Sequence, residues 1–464
     1  MIRTSRGMIF HLAMAAFATV LVVSAAVAGA PDYEQPPISY STTQPHDSAA
    51  KLMDSLERGD VTLTHDSERG YLDAILRELK IPTSSQTLVF SKTSFQRNHI
   101  SPRRPRALYF NDDTYVGYVP GGDVIEIASV DPKLGTNFYT IQQSPNAGTN
   151  AAKTRLTRQT DNCLQCHGES MTRGVPGLLV RSVFADDSGQ PILSAGTFLT
   201  THESPLSERW GGWYVTGSTG PRQPHMGNTR WQEKEGQMPQ PLAAPSAPSA
   251  PHASPTTNPS TLPPHVDADE YLTPHSDVVA LMVLEHQAEA HNRITRAVHG
   301  TLRALRDEQI MSDALGEPTK ANGIHSDSTL SRIESSCEPL VEYLLFANEA
   351  PLTDRVAGSS TFAADFSAHG PRDSRGRSLR DFDLKTRLFR YPCSYLIYSP
   401  ALQELPDAAK QFLYRRLWDI LSGKETGKPY AHLTSADRAA IMEILRDTKP
   451  DLRTASEALD QRKS

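Results

Sequence analysis

The chain has 464 residues, with 47 Lys and Arg against 53 Asp and Glu, a formal net charge of -6 and 38% apolar residues. This length provides for two or three domains with ordinary hydrophobic cores. The charge balance disfavours a nucleic-acid-binding protein, because no cationic surplus is left to neutralise phosphates. The 4 cysteines are too few for a disulfide scaffold, so their positions matter more than their number.

The amino terminus has the pattern of an export signal. Arg3 and Arg6 precede an apolar stretch from Met8 to Ala28, which ends in the small residues that signal peptidase recognises. We therefore predict a signal peptide over residues 1–28 and a mature protein that is periplasmic or otherwise exported. An uncleaved membrane anchor is the alternative, because about twenty apolar residues can span a bilayer.

The next part of the chain is predicted to be rich in β-structure. Residues 31–60 are polar with scattered prolines and are expected to form a flexible lead-in. Helical spacing of apolar residues then predicts a short helix over 68–80. Short β-branched and aromatic runs separated by turn residues predict an antiparallel meander, so that 61–238 forms a β-rich domain. The runs are 87–91, 107–110, 115–119, 124–128 and 137–141, with a later hairpin over 177–184 and 190–194.

The remainder is predicted to be mainly helical. Prolines interleaved with Ala, Ser and Thr indicate an extended linker over 239–265. Helical periodicity then dominates 266–464, apart from a long loop predicted over 354–378. The predicted helices run from Ser276 to about Asp307, from Glu338 to Ala347, from Asp407 to Leu421 and from Ser435 to Asp447. The predicted fold class is α+β, with a β-rich amino-terminal domain, a proline-rich linker and a mainly helical carboxyl-terminal domain.

The pentapeptide Cys163-Leu-Gln-Cys166-His167 carries the clearest chemical signal. It has the C-x-x-C-H pattern of covalent haem attachment. Cysteines three positions apart lie on one face of a helical turn, so both thiols can add to the vinyl groups on one porphyrin edge, and the next histidine can ligate iron. Zinc would need a second ligand pair, and a redox dithiol would be expected in a βαβ unit rather than among antiparallel strands.

From Asn162 to Gly168 the sequence resembles the cytochrome c superfamily. The resemblance implies that Cys163 and Cys166 are thioether anchors of one covalent haem c and that His167 is an axial iron ligand. A motif that follows a run of strands is also similar in topology to a few β-sheet cytochromes of the cytochrome c-prime-beta group. Export agrees with both resemblances, because haem is attached to c-type cytochromes outside the cytoplasm.

The second axial position is left open by the sequence. Met226 follows His167 at a separation similar to that in small all-helical cytochromes c, and its neighbour His225 is an equally good ligand. An open site is the remaining possibility, since a haem without a sixth protein ligand can bind small gases or peroxide. Further candidate ligands are Met171, His202 and Met238. The segment from Trp210 through Trp213 is expected to pack on the haem, with Arg209, Arg222 and Arg230 as candidate partners of its propionates.

The carboxyl-terminal part contains two further features. His286 falls on the apolar stripe of the first long helix and is interpreted as a core histidine, while Glu285, Glu289 and His291 are expected near its solvated edge. The Glu-x-x-His spacing of di-iron carboxylate bundles does not occur there. Cys337 and Cys393 are predicted either to form a disulfide or to remain as buried free thiols.

Together these features predict an exported monohaem c-type cytochrome that transfers electrons to a redox partner protein, without nucleic acid and with at most peripheral membrane contact. Two alternatives remain. The first is a haem enzyme, such as a peroxidase or an oxidase of a small inorganic compound, because the chain is much longer than an electron carrier requires. The second is a haem-based sensor or scaffold that uses the helical domain.

Overall fold

The computed structural model describes residues 31–143, 155–234, 237–242, 258–316 and 325–452. The structure is mixed α and β, with a β-sheet in the amino-terminal region and a mainly helical carboxyl-terminal part. The predicted signal peptide over 1–28 lies outside the described residues. None of the helices in the described ranges is both long enough and apolar enough to cross a membrane.

A six-stranded antiparallel meander forms the amino-terminal region, with its strands in sequence order. They are β1 (Thr87–Val89), β2 (Arg106–Phe110), β3 (Thr114–Tyr118), β4 (Val124–Asp131), β5 (Gly135–Gln142) and β6 (Leu156–Gln159). The predicted meander is confirmed over its first five strands. The sixth strand was not predicted, because its sequence Leu-Thr-Arg-Gln contains a single apolar residue and no alternation.

The two faces of the sheet pack against different partners, because neighbouring residues of a strand point to opposite faces. Tyr109 and Val116 belong to an apolar cluster with the helices α1 (Ser48–Arg58) and α2 (Leu72–Glu78). Phe110 and Tyr115, each next to one of these residues in sequence, join the core of the helical part instead. The sheet therefore lies between two layers of helices.

Residues 31–60 are part of this fold, contrary to the predicted flexible lead-in. Helix α1 begins after Asp47, whose carboxylate accepts hydrogen bonds from the backbone N–H groups of Ala49 and Ala50. The same carboxylate accepts a hydrogen bond from the Tyr139 hydroxyl of β5 at 2.8 Å. This buried contact attaches α1 to the sheet across a long sequence separation, which the local composition did not reveal.

The chain after β6 forms short elements that include the Cys-x-x-Cys-His motif. These are α3 (Leu164–His167) and an antiparallel pair of β7 (Arg181–Val183) with β8 (Thr197–Leu199). The predicted hairpin partner of this region was 190–194, but that segment contributes only a bridge between Ala185 and Pro191. Two further strands, β9 (Trp231–Lys234) and β10 (Gln237–Pro241), form a separate pair.

The longest helix, α4 (Val278–Leu315), packs against both the sheet and the other helices. Its first turn is capped by Asp277, whereas the predicted cap, Ser276, donates its hydroxyl to the Tyr214 carbonyl. Every residue from Val278 to Thr295 is buried. A helix that is enclosed on all sides is a core helix rather than an amphipathic surface helix.

The remaining helices follow in the carboxyl-terminal part. They are α5 (Asp327–Leu344), α6 (Phe362–Ala368), α7 (Pro400–Gln403), α8 (Asp407–Leu421) and α9 (Ser435–Thr448). The predictions for α8 and α9 are confirmed, and Thr434 with Asp437 forms the expected capping box before α9. Helix α5 begins earlier than predicted, and α6 lies in a segment that was predicted to be a loop.

One hydrophobic core extends through both of the predicted domains. It contains Val89 and Phe110 from the sheet together with Val283 and Leu413 from the helices. The predicted linker over 239–265 therefore does not divide the core into two, although its residues 243–257 lie outside the described residues. Near the carboxyl-terminal end of the predicted linker, Leu262 is buried.

Candidate functional site

The Cys-x-x-Cys-His motif forms a single helical turn. Cys163 precedes α3, and the backbone N–H of His167 donates to the Cys163 carbonyl at 3.0 Å. Cys163 is half-buried and Cys166 is exposed, and both thiols are free. The structure thus places two thiols on neighbouring positions of one turn, with the histidine directly after them.

His167 is held through one of its two ring nitrogens. Nδ1 lies 2.9 Å from the carbonyl oxygen of Gly177, so Nδ1 carries the proton, because a carbonyl can only accept. Nε2 has no hydrogen-bond partner among the described residues. The Phe138 ring lies 4.9 Å from the imidazole, centroid to centroid. Burial lowers the pKa of His167, which keeps the ring neutral and its Nε2 lone pair free to bind a metal.

The loop that provides the Gly177 carbonyl is closed by several hydrogen bonds. The N–H of Gly177 donates to the carbonyl of His167 at 2.8 Å, so these two residues are bonded in both directions. The Thr172 hydroxyl donates to the Val175 carbonyl at 2.8 Å. The Pro176 carbonyl accepts the N–H of Thr136 at the start of β5. The acceptor for His167 is therefore fixed against the sheet.

Arg106 of β2 and Glu126 of β4 are the charged sheet residues that act electrostatically on the motif. The Arg106 side chain crosses β3 at Gly117, where a Cβ atom would lie 2.3 Å from its Nη2. Its Nε lies 3.0 Å from Glu126 Oε2 without an aligned hydrogen bond. Burial and then the Glu126 carboxylate raise the pKa of the Cys163 thiol to about 11, while Arg106 opposes the rise. Both charged groups also act on the pKa of His167.

These residues have the properties that a covalently attached haem needs. The thiols are free and one turn apart, and the neutral imidazole of His167 has one bonded and one unoccupied nitrogen. Metal-ligating histidines almost always donate their other N–H to a carbonyl or carboxylate, as His167 does to Gly177. Arg106, whose buried Nε lacks an aligned hydrogen bond, forms an ion pair with Glu126 close to the motif. Within the described ranges, no group of three or more His, Cys, Asp or Glu side chains could hold a metal ion by itself.

His225 has contacts that differ from those of His167. Its Nε2 lies 2.9 Å from Asn258 Oδ1, and its Nδ1 accepts the backbone N–H of Gly227 at 3.0 Å. Its ring packs edge-on against Trp210. Burial lowers the pKa of His225 to about 4. Because both nitrogens already have partners, this conformation does not favour His225 as an iron ligand.

The other candidate distal ligands are also distributed over the fold. Met226 is buried in a small cluster with Phe184, and its Sδ lies 3.6 Å from the Ser182 hydroxyl. Met238 is exposed on β10. Met171, four residues after His167 in the same loop, is half-buried. These contacts do not favour Met226 either.

The three arginines that were candidate propionate partners form ion pairs within the protein instead. Arg209 Nη1 lies 3.0 Å from Glu285 Oε2, and both side chains are buried. Arg222 Nη2 lies 2.7 Å from an oxygen of Asp354 at the surface, and Arg230 pairs with Asp187. Trp213 donates its Nε1–H to the Arg181 carbonyl. These four residues therefore have partners within the chain.

The polar residues of α4 are buried, contrary to the solvated edge predicted for three of them. Glu285, Glu289 and His291 are 0%, 7% and 1% exposed. Helical periodicity did not predict this burial, because the sheet and the other helices together enclose α4. Glu285 pairs with Arg209, Glu289 with Arg293, and His291 Nε2 lies 2.9 Å from the Asp112 carbonyl.

His286 is a core residue, as predicted, and its partner is His202. Their Nδ1 atoms are 2.7 Å apart, and His286 Nε2 lies 2.8 Å from the Ser394 hydroxyl. Both rings stack with Tyr343. Burial lowers the pKa of His286 to about 3 and that of His202 well below its usual value, so the pair is neutral.

Cys337 and Cys393 are both buried and free, so the structure contains the free-thiol alternative. Burial raises the pKa of Cys337 to about 11 and that of Cys393 to about 12, which keeps both thiols protonated. The Thr301 hydroxyl lies 3.9 Å from Cys337 Sγ. Their contacts are those of ordinary core residues.

Comparison with known proteins identified no relative: no family model, no curated protein and no solved structure matches this chain. The motif and its local geometry are therefore the features from which a function can be inferred.

Proposed function

We propose that the protein is an exported monohaem c-type cytochrome, in which Cys163 and Cys166 hold one haem c and His167 is an axial ligand of its iron. The observation that carries the proposal is the 2.9 Å contact of His167 Nδ1 with the Gly177 carbonyl. This contact fixes the tautomer in which Nε2 has a free lone pair, as an iron ligand requires. It is independent of the sequence pattern, which concerns only the order of the three residues.

Each residue of the site has a separate role in this proposal. The two thiols keep the haem attached, and the Gly177 carbonyl and the Phe138 ring orient the imidazole of His167. Arg106 is paired with Glu126, so, like Arg209, Arg222 and Arg230, it is not assigned to the propionates. When bound, the haem supplies an iron centre that alternates between Fe(II) and Fe(III).

Electron transfer to a redox partner protein is the proposed activity. Cys166 is exposed, so the porphyrin edge that it anchors would be close to the surface, where a partner can approach. The predicted signal peptide places the mature protein in the periplasm or an equivalent compartment, where haem c is attached. The proposal includes no nucleic-acid partner and at most a peripheral membrane contact.

A haem enzyme with an open distal site is the second candidate. It is favoured by the contacts of His225, whose two nitrogens are both occupied, and of Met226, which is buried in an apolar cluster. A distal position without a protein ligand would bind carbon monoxide or peroxide. The absorption spectrum therefore separates the candidates: an electron carrier gives a low-spin spectrum that neither ligand changes, and an enzyme gives a spectrum that both change.

The proposal is tested by producing the full chain in cells that attach haem c and measuring covalent haem by the pyridine haemochrome assay. One haem per chain is expected in the wild type. The double variant Cys163→Ala/Cys166→Ala should contain none, because no thioether can form. The matched control is Cys337→Ala/Cys393→Ala, which removes the other two cysteines and should retain haem. Wild-type protein without covalent haem would refute the proposal.

A further inference from the structure

Asn292 of α4 contacts the loop that holds His167. Its Oδ1 accepts the backbone N–H of Leu178 at 2.8 Å, and its Nδ2 donates to the Leu178 carbonyl at 2.7 Å. Asn292 is buried, and Leu178 directly follows Gly177. One side chain of the helical part thus bonds both backbone polar groups of Leu178.

The same peptide group joins Asn292 to His167. The carbonyl of Gly177 and the N–H of Leu178 belong to one planar peptide unit, in which they point in opposite directions. His167 Nδ1–H donates to the carbonyl end, and Asn292 Oδ1 accepts from the N–H end. Rotation of this peptide would break both hydrogen bonds, and hydrogen bonds in such a chain polarise one another.

Gly177 is required for this close approach. A Cβ atom at this position would lie 2.3 Å from Asn292 Oδ1, a distance that real Cβ atoms essentially never show. The side chain of Asn292 also donates a hydrogen bond from Nδ2 to Glu289 Oε2 at 3.4 Å. Glu289 in turn accepts from Arg293 Nε at 2.6 Å and from Arg173 Nε at 2.5 Å. The amide therefore has a fixed orientation.

We propose that Asn292 is a positioning residue for His167, a role that rests on the proposed function where it concerns the iron. It fixes the Gly177–Leu178 peptide and thereby keeps the Nδ1–H bond of His167 short and aligned. A strongly hydrogen-bonded Nδ1–H makes the imidazole a more basic ligand, which stabilises Fe(III) over Fe(II) and lowers the reduction potential. The buried polar network of α4 would in this way tune the haem without touching it.

The chain contains a matched control for this contact. Asn228 Oδ1 accepts the N–H of Val215 at 2.8 Å, and its Nδ2 donates to the Val215 carbonyl at 2.9 Å. This is the same double contact, but the peptide it holds has no hydrogen bond with His167. Asn228 has a φ of 63°, so alanine there also strains the backbone and should destabilise the fold at least as much as alanine at 292.

The first experiment compares full-length holoprotein of the wild type, Asn292→Ala, Gly177→Ala and Asn228→Ala. All four are expected to retain covalent haem. Asn292→Ala and Gly177→Ala, which disturb the contact from opposite sides, should both raise the reduction potential measured by spectroelectrochemistry. Asn228→Ala should lower the melting temperature but leave the potential unchanged. A potential that is equal in the wild type and Asn292→Ala, or shifted equally by Asn228→Ala, would overturn the proposal.

A second experiment measures the ring of His167 without haem and so separates the two proposals. The full chain with Cys163→Ala/Cys166→Ala is labelled with ¹⁵N-histidine, and His167→Gln assigns the signal. We expect the Nδ1–H tautomer of His167, and a mixture with the Nε2–H tautomer after Asn292→Ala but not after Asn228→Ala. If wild-type protein takes up no haem, the proposed function fails while the tautomer still decides whether Asn292 positions His167. If haem is bound and the tautomer does not respond, only the positioning role fails.

Discussion

His167 is the last residue of the short helix α3 and His225 lies in a loop, yet their hydrogen bonds assign them opposite chemistry. His167 donates through Nδ1 to a carbonyl and leaves Nε2 free, whereas His225 accepts at Nδ1 from a backbone N–H and bonds Asn258 through Nε2. The two rings are therefore opposite tautomers. The difference teaches that a histidine becomes a potential metal ligand through the acceptor on its other nitrogen, rather than through burial or aromatic neighbours.

Removal of each ring is the strongest test of this comparison. His167→Ala should abolish the normal haem spectrum, and added imidazole should restore part of it, because the missing ligand is then replaced from solution. His225→Ala should leave the spectrum unchanged and lower the free energy of unfolding by about 1–3 kcal/mol, the cost of leaving buried polar groups without partners. Absorption spectra and urea titrations provide the two measurements. A change of iron coordination in His225→Ala would show that the histidines are equivalent after all.

The arginines near these histidines sharpen the comparison through stability. Arg209→Met leaves the buried carboxylate of Glu285 without its ion pair and should cost about 3–5 kcal/mol in the free energy of unfolding. Arg222→Met, the matched control, removes an exposed ion pair with Asp354 and should cost little. Denaturant unfolding of both variants is the measurement. Neither change should shift the haem potential, and a clear shift with Arg209→Met would restore its role as a propionate partner.

The last test of the comparison concerns the contribution of His225 to acid sensitivity, which is small near neutral pH. Burial holds its pKa at about 4 in the folded protein, whereas the unfolded ring titrates near 6.5. Between these two pH values the unfolded chain binds more protons than the folded protein. The contribution of His225 to the free energy of unfolding is therefore fully present above about pH 6.5 and decreases as the pH falls toward 4. The slope of the free energy of unfolding against pH reports how many more protons the unfolded state binds, and His225→Asn should reduce this number by up to one. Equal slopes for the variant and the wild type, from urea titrations across this range, would mean that the folded ring is not held neutral.

The elements that were predicted correctly are those whose signals are local. Alternation and turn residues specify β2 to β5, and the capping box of Thr434 with Asp437 marks the start of α9. The order of Cys163, Cys166 and His167 is also a local signal, but the haem attachment inferred from it stays a prediction. Each of these signals lies within a few residues of the structure that it specifies.

The features that were missed depend on contacts between distant parts of the chain. Residues 31–60 join the fold because the buried Asp47 reaches Tyr139, and the polar residues of α4 are enclosed by elements far away in sequence. The partner of His167 is a backbone carbonyl, which has no signature in the sequence. The one available hint was glycine: Gly117 inside a strand and Gly177 beside the motif both permit close approach of another side chain.

Helix α4 has a further consequence for how the protein unfolds. Because its buried turns belong to the same core as the sheet and the other helices, neither half of the chain can lose its structure while the other keeps a complete interior. Heat or denaturant should therefore produce one transition, in which signals from the motif region and from the carboxyl-terminal tryptophan Trp418 change together. The Cys-x-x-Cys-His motif and the helical part would then share a single lifetime in the folded state, although they lie far apart in the sequence.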